Sequence, residues 1–386
     1  GGVFVTWQDK RGGIDDDIYG THVSSDHQIV NSGSGVPIVV EGGNQNAKSI
    51  EYAGNNEAFI AWADFREGAN ADVYGQRLDV EMDIFFAENG FQIAGSEEQE
   101  LKPRVTYINN NKSFIVWKQG DENSKLFYQF IDSNGLIFTE DKSISENSAI
   151  QTAPRVKRSS NGNIFVNWKD LRDDPIDGDQ YFQKINIDGD TEWNDGIRID
   201  PLNLADFSAR FSPDNNGGVN VVWERGSFPE IDIMYQNITS NGTTVHNEPI
   251  SINQEVGYQY SPAIIGDNSS GLFIIYGDQG DGSIDLKVQK INADYQPEWQ
   301  NNGLEVMKGL DGDINYTKTF KVTDNDLYLL WEDNRASKKI FSTRVLNSEL
   351  DTLNGKQLTF GDNSSSETDF STPFFIQSSN NFYTAM

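Results

Sequence analysis

The sequence predicts an all-β fold: a seven-bladed β-propeller of four-stranded antiparallel blades, with part of an eight-bladed ring as the alternative. Three observations carry this reading. Trp7, Trp62, Trp117, Trp168, Trp223 and Trp331 each end a short apolar run, Tyr276 fills the vacant slot, and successive spacings are 55, 55, 51, 55, 53 and 55 residues. A second marker follows: Asp17-Ile18-Tyr19, Asp72-Val73-Tyr74, Asp179-Gln180-Tyr181, Asp232-Ile233-Met234 and Asp285-Leu286-Lys287, with Lys125 and Lys339 in the Asp slot of copies three and seven. Gly, Asn, Asp and Ser punctuate the apolar runs, and no apolar stripe of helical period extends over three turns.

Each repeat of about 54 residues reads as four strands. Strand A is the run before the Trp, as in Pro103 to Tyr107. Strand B ends in the Trp. Strand C is the Asp-Ile-Tyr-x-Gln run, its Gln falling at Gln76, Gln129, Gln183, Gln236 and Gln289. Strand D follows a turn such as Asp132-Ser133-Asn134-Gly135 or Asn186-Ile187-Asp188-Gly189, whose glycine supplies positive φ. A closed ring leaves only short, protected strand edges. The chain is expected to form one domain over 1–386. It opens at strand B, so the strand near 373–378 is expected to close the ring. Asn381 to Met386 then repeats strand B, which keeps the eight-bladed alternative open.

The motif Trp-x-Asp-x-Arg stands complete at Trp7–Arg11, Trp62–Arg66, Trp168–Arg172 and Trp331–Arg335. Its expected role is structural. The Arg should tie the B–C hairpin by bridging the Asp that ends B to the Asp that opens C. In the third copy Asp121 and Lys125 replace Arg and Asp, which reads as the same pair with charges exchanged. The Trp residues are expected between blades.

Thirty Lys and Arg against 59 Asp and Glu give a net charge of −29. That excludes a basic nucleic-acid face. The absence of cysteine excludes disulfides, thiolate metal sites and a cysteine nucleophile. No apolar run is long enough to insert into a membrane. The acidity suits a secreted or cell-surface setting, and the opening at Gly1 reads as a mature or excised piece with other domains in a larger parent.

Taken together, Trp-x-Asp-x-Arg, Asp-Ile-Tyr-x-Gln and the Gly turn resemble the propeller repeats of large secreted bacterial surface proteins. These are frequent in Bacteroidetes-type bacteria, often leave by the type IX route, and are often labelled sialidase-like. The resemblance implies the fold and a bacterial exterior. The Asp-box turns of sialidases are absent from this chain.

Aligning the repeats on their Trp places Arg104, Arg155 and Arg210 at one strand-A position, with Lys318 in the seventh copy. Strand A is innermost in a propeller, so these cations are expected at the central channel, where guanidiniums suit a carboxylate or sulfate. Acidic loops hold Asp173, Asp177 and Asp179, and Asp278, Asp281 and Asp285. They are the candidates for structural Ca²⁺, although none is an EF-hand: position 12 from Asp173 or Asp278 is Lys184 or Gln289, not Glu. His22, His27 and His246 lack metal-ligand spacing, and there is no Gly-x-Ser-x-Gly or phosphate-binding loop.

The main functional expectation is a non-catalytic surface binding or adhesion module, with an anionic glycan or a protein partner at the channel mouth. A structural or assembly module of a larger surface protein or filament is one alternative. A glycoside hydrolase or lyase acting on an anionic sugar is the other, and it requires a pocket with a Tyr or carboxylate near the arginines.

Overall fold

The computed structural model describes residues 2–385 apart from 27, 32, 110, 111, 134, 137–139, 203, 215, 268, 269, 281, 283, 300, 301, 308–313, 322–326, 334–339, 347–351, 359–373, 379 and 380; beyond Val306, side chains are described at Leu327 and Leu329. The chain forms two compact units, Gly1–Arg198 and Ile199–Met386. Both are built from antiparallel sheets in chain order.

The first unit opens with β1 (Gly2–Asp9), β2 (Asp17–Ser24) and β3 (Val36–Val39) in one three-stranded sheet. A four-stranded sheet follows, of β4 (Gln45–Tyr52), β5 (Ala58–Asp64), β6 (Asp72–Leu78) and β7 (Phe91–Ala94). The third sheet holds β8 (Glu100–Asn109), β9 (Lys112–Gln119) and β10 (Lys125–Asp132), with β11 (Gly135–Leu136) and β12 (Lys142–Ser143) both on β10. The fourth holds β13 (Gln151–Arg158), β14 (Ile164–Asp170), β15 (Asp179–Ile185) and β16 (Ile197–Arg198).

The second unit repeats the order. Its sheets are β17 (Asp206–Pro213), β18 (Val219–Ser227), β19 (Glu230–Ile238) and β20 (Ile250–Ser251), then β21 (Gln259–Gly266), β22 (Leu272–Asp278), β23 (Asp285–Ile291) and β24 (Leu304–Met307). Next come β25 (Ile314–Lys321), β26 (Leu327–Asp333), β27 (Ile340–Leu346) and β28 (Thr352–Leu358). The expected terminal strand is β29 (Phe374–Ser378), which pairs with β30 (Asn381–Ala385).

Trp62, Trp117 and Trp168 pack between sheets, as expected. Trp62 lies in a core with Ile18, Ile38 and Val39 of the preceding sheet. Trp117 does the same with Phe59 and Val73, and Trp168 with Phe114 and Tyr128. Truncating such a residue costs about 3–5 kcal/mol. A glycine just ahead of strand D makes room for the ring. A Cβ on Gly35, Gly90 or Gly196, all at positive φ, would fall 2.1–2.5 Å from Trp7, Trp62 or Trp168.

The motif arginine makes a different tie from the expected one. Asp64 accepts the indole N–H of Trp62 at 2.7 Å, the backbone N–H of Arg66 at 3.0 Å and its Nη2 at 2.6 Å. Asp170 does the same for Trp168 and Arg172. The guanidinium then stacks on the strand-C tyrosine: Arg66 lies 4.0 Å from the Tyr74 ring centre and Arg172 4.1 Å from that of Tyr181. The Asp opening strand C looks elsewhere, Asp72 to Gln92 and Asp179 to Arg198. The exchanged pair of the third copy also does not form, because Lys125 donates to the carbonyls of Asn147 and Ala149 while Asp121 sits 3.8 Å from Lys118. A flat guanidinium on a ring face keeps its in-plane N–H groups for the B-strand carboxylate, so one residue serves both partners.

The strand-C glutamine pins the chain's return. Gln183 accepts from the backbone N–H of Lys184 and Trp193 and donates to Asn194 O; Gln76 does the equivalent with Arg77, Phe86 and Ala87. Strand D therefore starts well past the expected turn. Thr191, just after the Asn186–Gly189 turn, forms only a single bridge to Ile185, and β16 begins at Ile197.

Asp64 is fully buried and holds four donors, the Gln45 amide at 3.4 Å being the fourth, so Asp64→Ala is expected to destabilise the protein by about 3 kcal/mol in urea unfolding. Asp64→Asn, which keeps one acceptor, is expected to lose less.

Candidate functional site

The first strands of successive sheets lie side by side within each unit: β4, β8 and β13 in the first, β17, β21 and β25 in the second. Each carries a register shift near its start, at Asn46/Ser49, Leu101/Arg104, Thr152/Arg155, Phe207/Arg210, Tyr260/Ala263 and Ile314/Thr317. Lys102, Ala153, Ser208 and Ser261 sit in these bulges at φ of 51–55°. Non-glycine residues in that region are strained, and such strain concentrates at functional sites.

Charge is segregated onto these strands. Together β4, β8, β13, β17, β21, β25 and β29 contain nine Lys and Arg and three Asp and Glu, in a chain of net charge −29. The aligned cations keep the register the repeat implies. Arg104, Arg155, Arg210 and Lys318 pair with Val116, Asn167, Val222 and Leu330, each the residue before its Trp.

Arg104 is half-buried and donates Nη1 to Pro103 O at 2.8 Å. Arg210 is half-buried and donates to Ser208 O and Ala209 O, both at 3.1 Å. Burial pulls both guanidinium pKa values down. Among the described residues neither has a carboxylate within 4.0 Å. Arg155 is exposed. Lys318 lies in β25, its side chain outside the described residues.

Glu224 lies within electrostatic reach of Arg210 and of Tyr258 in the second unit. The fifth repeat replaces Trp-x-Asp with Trp223-Glu224-Arg225. The indole of Trp223 therefore turns to Asp206 at the start of β17 (2.7 Å), and Arg225 pairs with Asp200 at 3.1 Å. Glu224, 8% exposed, occupies the intervening slot opposite Phe207. It accepts the backbone N–H of Ser261 at 2.6 Å and the hydroxyl of Ser208, so both strained bulges aim donors at it. Burial nonetheless raises the Glu224 pKa, with the Arg210 charge opposing. Tyr258 is raised too, by burial and then by the charge of Glu224. A protonated phenol and an ionisable carboxyl group beside a guanidinium can exchange protons with a bound anion. The broken fifth motif was the sequence signal for Glu224; the approach of Tyr258 from the next sheet had none.

The acidic loops do not converge. Asp173 accepts the Tyr181 hydroxyl, and Asp179 pairs with Arg198 at 2.9 Å. The backbone N–H of Asp177 donates to Asp174. Asp278 accepts from Asn253, Gln259 and Gly280 and meets Lys287 Nζ at 2.5 Å. Asp285 opens β23 and lines, with Asp278, Lys287, Glu255 and Glu305, a cleft of about 430 Å³; Asp281 lies outside the described residues. Among the described residues no three His, Asp or Glu side chains are arranged to hold a metal ion.

No family model matches the chain, and no curated protein matches it in sequence. Solved structures do. The chain is similar to an ulvan lyase described as a new polysaccharide lyase family (11% identity, 79% of this chain and 81% of that one, TM-score 0.50). It is also similar to the polysaccharide lyase Uly1 (10% identity, 90% and 88%, TM-score 0.52) and, more distantly, to a Hadza microbial sialidase (12% identity, 85% and 73%, TM-score 0.41). The likeness to the two polysaccharide lyases corrects the expectation of a non-catalytic binding or adhesion module. The ulvan lyase and Uly1, which share the fold, are polysaccharide lyases, in line with the enzymatic alternative.

Glu100 offers a test of burial at the head of a first strand. It is 1% exposed and takes the Ser96 hydroxyl at 2.5 Å, while its other oxygen is buried within reach of the Asp72 charge. Its pKa is pushed up to about 7 from 4.5, first by burial and then by the Asp72 charge. The folded state thus holds the proton more tightly than the unfolded chain, and stability should fall as pH rises from about 4.5 to about 7. Urea midpoints across that range should show the fall in the wild type and a flatter profile in Glu100→Gln. The all-β fold in which Glu100 sits is a β-propeller.

Proposed function

We propose that the protein is a polysaccharide lyase acting on a uronate-bearing polymer. The observation that carries the reading is the concentration of Lys and Arg on the first strands of an otherwise acidic chain, with Glu224, Tyr258 and Arg210 at one place on them. A cationic surface walled by net negative charge draws in a polyanion and repels the rest of the molecule from it. The likeness to two polysaccharide lyases supports the class of chemistry, and an extracellular setting suits a polymeric substrate.

In this reading Arg210 receives the uronate carboxylate through charge-assisted hydrogen bonds and favours the carbanion-like charge that develops there. Arg104 and Arg155 offer the same chemistry to anionic groups in the first unit. Glu224 takes the proton α to the carboxylate. The carbon–oxygen bond at the β position breaks as a carbon–carbon double bond forms, and the Tyr258 phenol gives its proton to the departing oxygen. The raised pKa of Glu224 makes it a better base near neutral pH than an exposed carboxylate, and the raised pKa of Tyr258 keeps its proton in place for donation.

The test is turnover of uronate-bearing polysaccharides, followed by absorbance of the unsaturated uronate. Glu224→Gln is expected to lower kcat at least about 10²-fold, and the wild-type rise of kcat/KM with pH through the Glu224 titration should disappear. Arg210→Ala is expected to raise KM about tenfold. A saturated product bearing a new reducing end would replace elimination with hydrolysis. Full activity in Glu224→Gln would refute the assignment.

A further inference from the structure

Three aromatic rings, one exposed and two half-buried, form a ladder beside the Ser261 bulge that donates to Glu224. Tyr258 and Tyr260 stack with ring centres 5.1 Å apart and planes at 14°. Phe228, on the β18–β19 turn and 78% exposed, meets Tyr258 edge-on at 6.0 Å. The ladder is braced. Gly257 N donates to Glu230 at 3.0 Å and Ile231 N to Gly257 O at 3.3 Å, which ties the two loops together. Tyr260 lies across Gly277, where a Cβ would come within 2.6 Å of the ring. Gly277 holds the repeat position that Glu224 holds one sheet earlier, so loss of a side chain there makes the bed for the ring. Val256, 76% exposed, extends the apolar surface.

A contiguous aromatic surface of this kind is uncommon on a soluble protein without a ligand. Its flat, rigid faces match the C–H faces of a pyranose. Tyr258 belongs both to the ladder and to the Glu224 group, so the surface continues the candidate site. Exposed Glu230 and Glu255 flank it and disfavour an anionic ring. We propose that Phe228, Tyr258 and Tyr260 are a stacking subsite for an uncharged sugar next to the uronate at Glu224, so that the preferred polymer carries uncharged sugars between its uronates. This rests on the lyase reading.

The experiment measures calorimetric binding in a Glu224→Gln background, which prevents turnover. The probes are a hyaluronan hexasaccharide (uronates alternating with uncharged N-acetylhexosamines), hexagalacturonate and cellohexaose. The alternating probe is expected to bind tightest, and Phe228→Ala to weaken it about 3- to 10-fold. Phe228 is exposed, so its loss leaves the fold in place. If none of the probes binds, or if Phe228→Ala leaves every affinity unchanged, the subsite is overturned. If Phe228→Ala weakens binding while Glu224→Gln retains turnover, the subsite stands and the catalytic assignment falls.

Discussion

The buried aspartate at the end of the second strand organises the repeat. One carboxylate accepts an indole N–H, a backbone N–H and a guanidinium, and the guanidinium closes over a tyrosine of the next strand. The tryptophan fixed in this way fills the space between sheets. A glycine at positive φ beyond it leaves room for the ring and lets the chain turn into the last strand. Removing any of these groups leaves a charged or polar partner buried without compensation.

The fifth and sixth repeats give that arrangement up, and the candidate site lies there. In the fifth repeat the acceptor for the indole moves from the second strand to Asp206 on the first. Arg225 then takes the old carboxylate position, and Glu224 fills the slot between, beside Ser208 and Ser261. In the sixth repeat Tyr276 replaces the tryptophan and Gly277 replaces the residue after it, which admits Tyr260. Departures from a local rule without an evident structural gain are expected at functional sites. Here two adjacent repeats depart together, and both the carboxyl group and the aromatic ladder come from them.

Much of the fold was legible in the sequence because it follows from period and turn chemistry. The Trp spacing located the second strands, and the aligned cations kept a common register opposite the residue before each Trp. The errors lay in choice of partner. Arg66 and Arg172 were paired with the wrong feature of strand C, because a charge pattern does not reveal that a neighbouring ring face competes for the guanidinium. Lys125 found backbone carbonyls where a carboxylate was expected. The site was less legible still. Arg210 was singled out, but the Glu224 charge is felt by Tyr258 across two sheets, and the strained Ser208 and Ser261 bulges leave no signature in residue type.

Charge links fold to function. The loops carry the acidity, and the first strands carry Lys48, Lys102, Arg104, Arg155, Lys157, Arg158 and Arg210 against Glu51, Glu100 and Asp206. The most direct test of this account is a crystal structure of Glu224→Gln bound to a uronate-bearing oligosaccharide. The account predicts a sugar carboxylate against Arg210, with the ring's acidic C–H facing residue 224 and the phenol of Tyr258 near the glycosidic oxygen. A sugar bound away from the first strands, or one that turns its hydroxyl groups rather than its carboxylate toward Arg210, would contradict it.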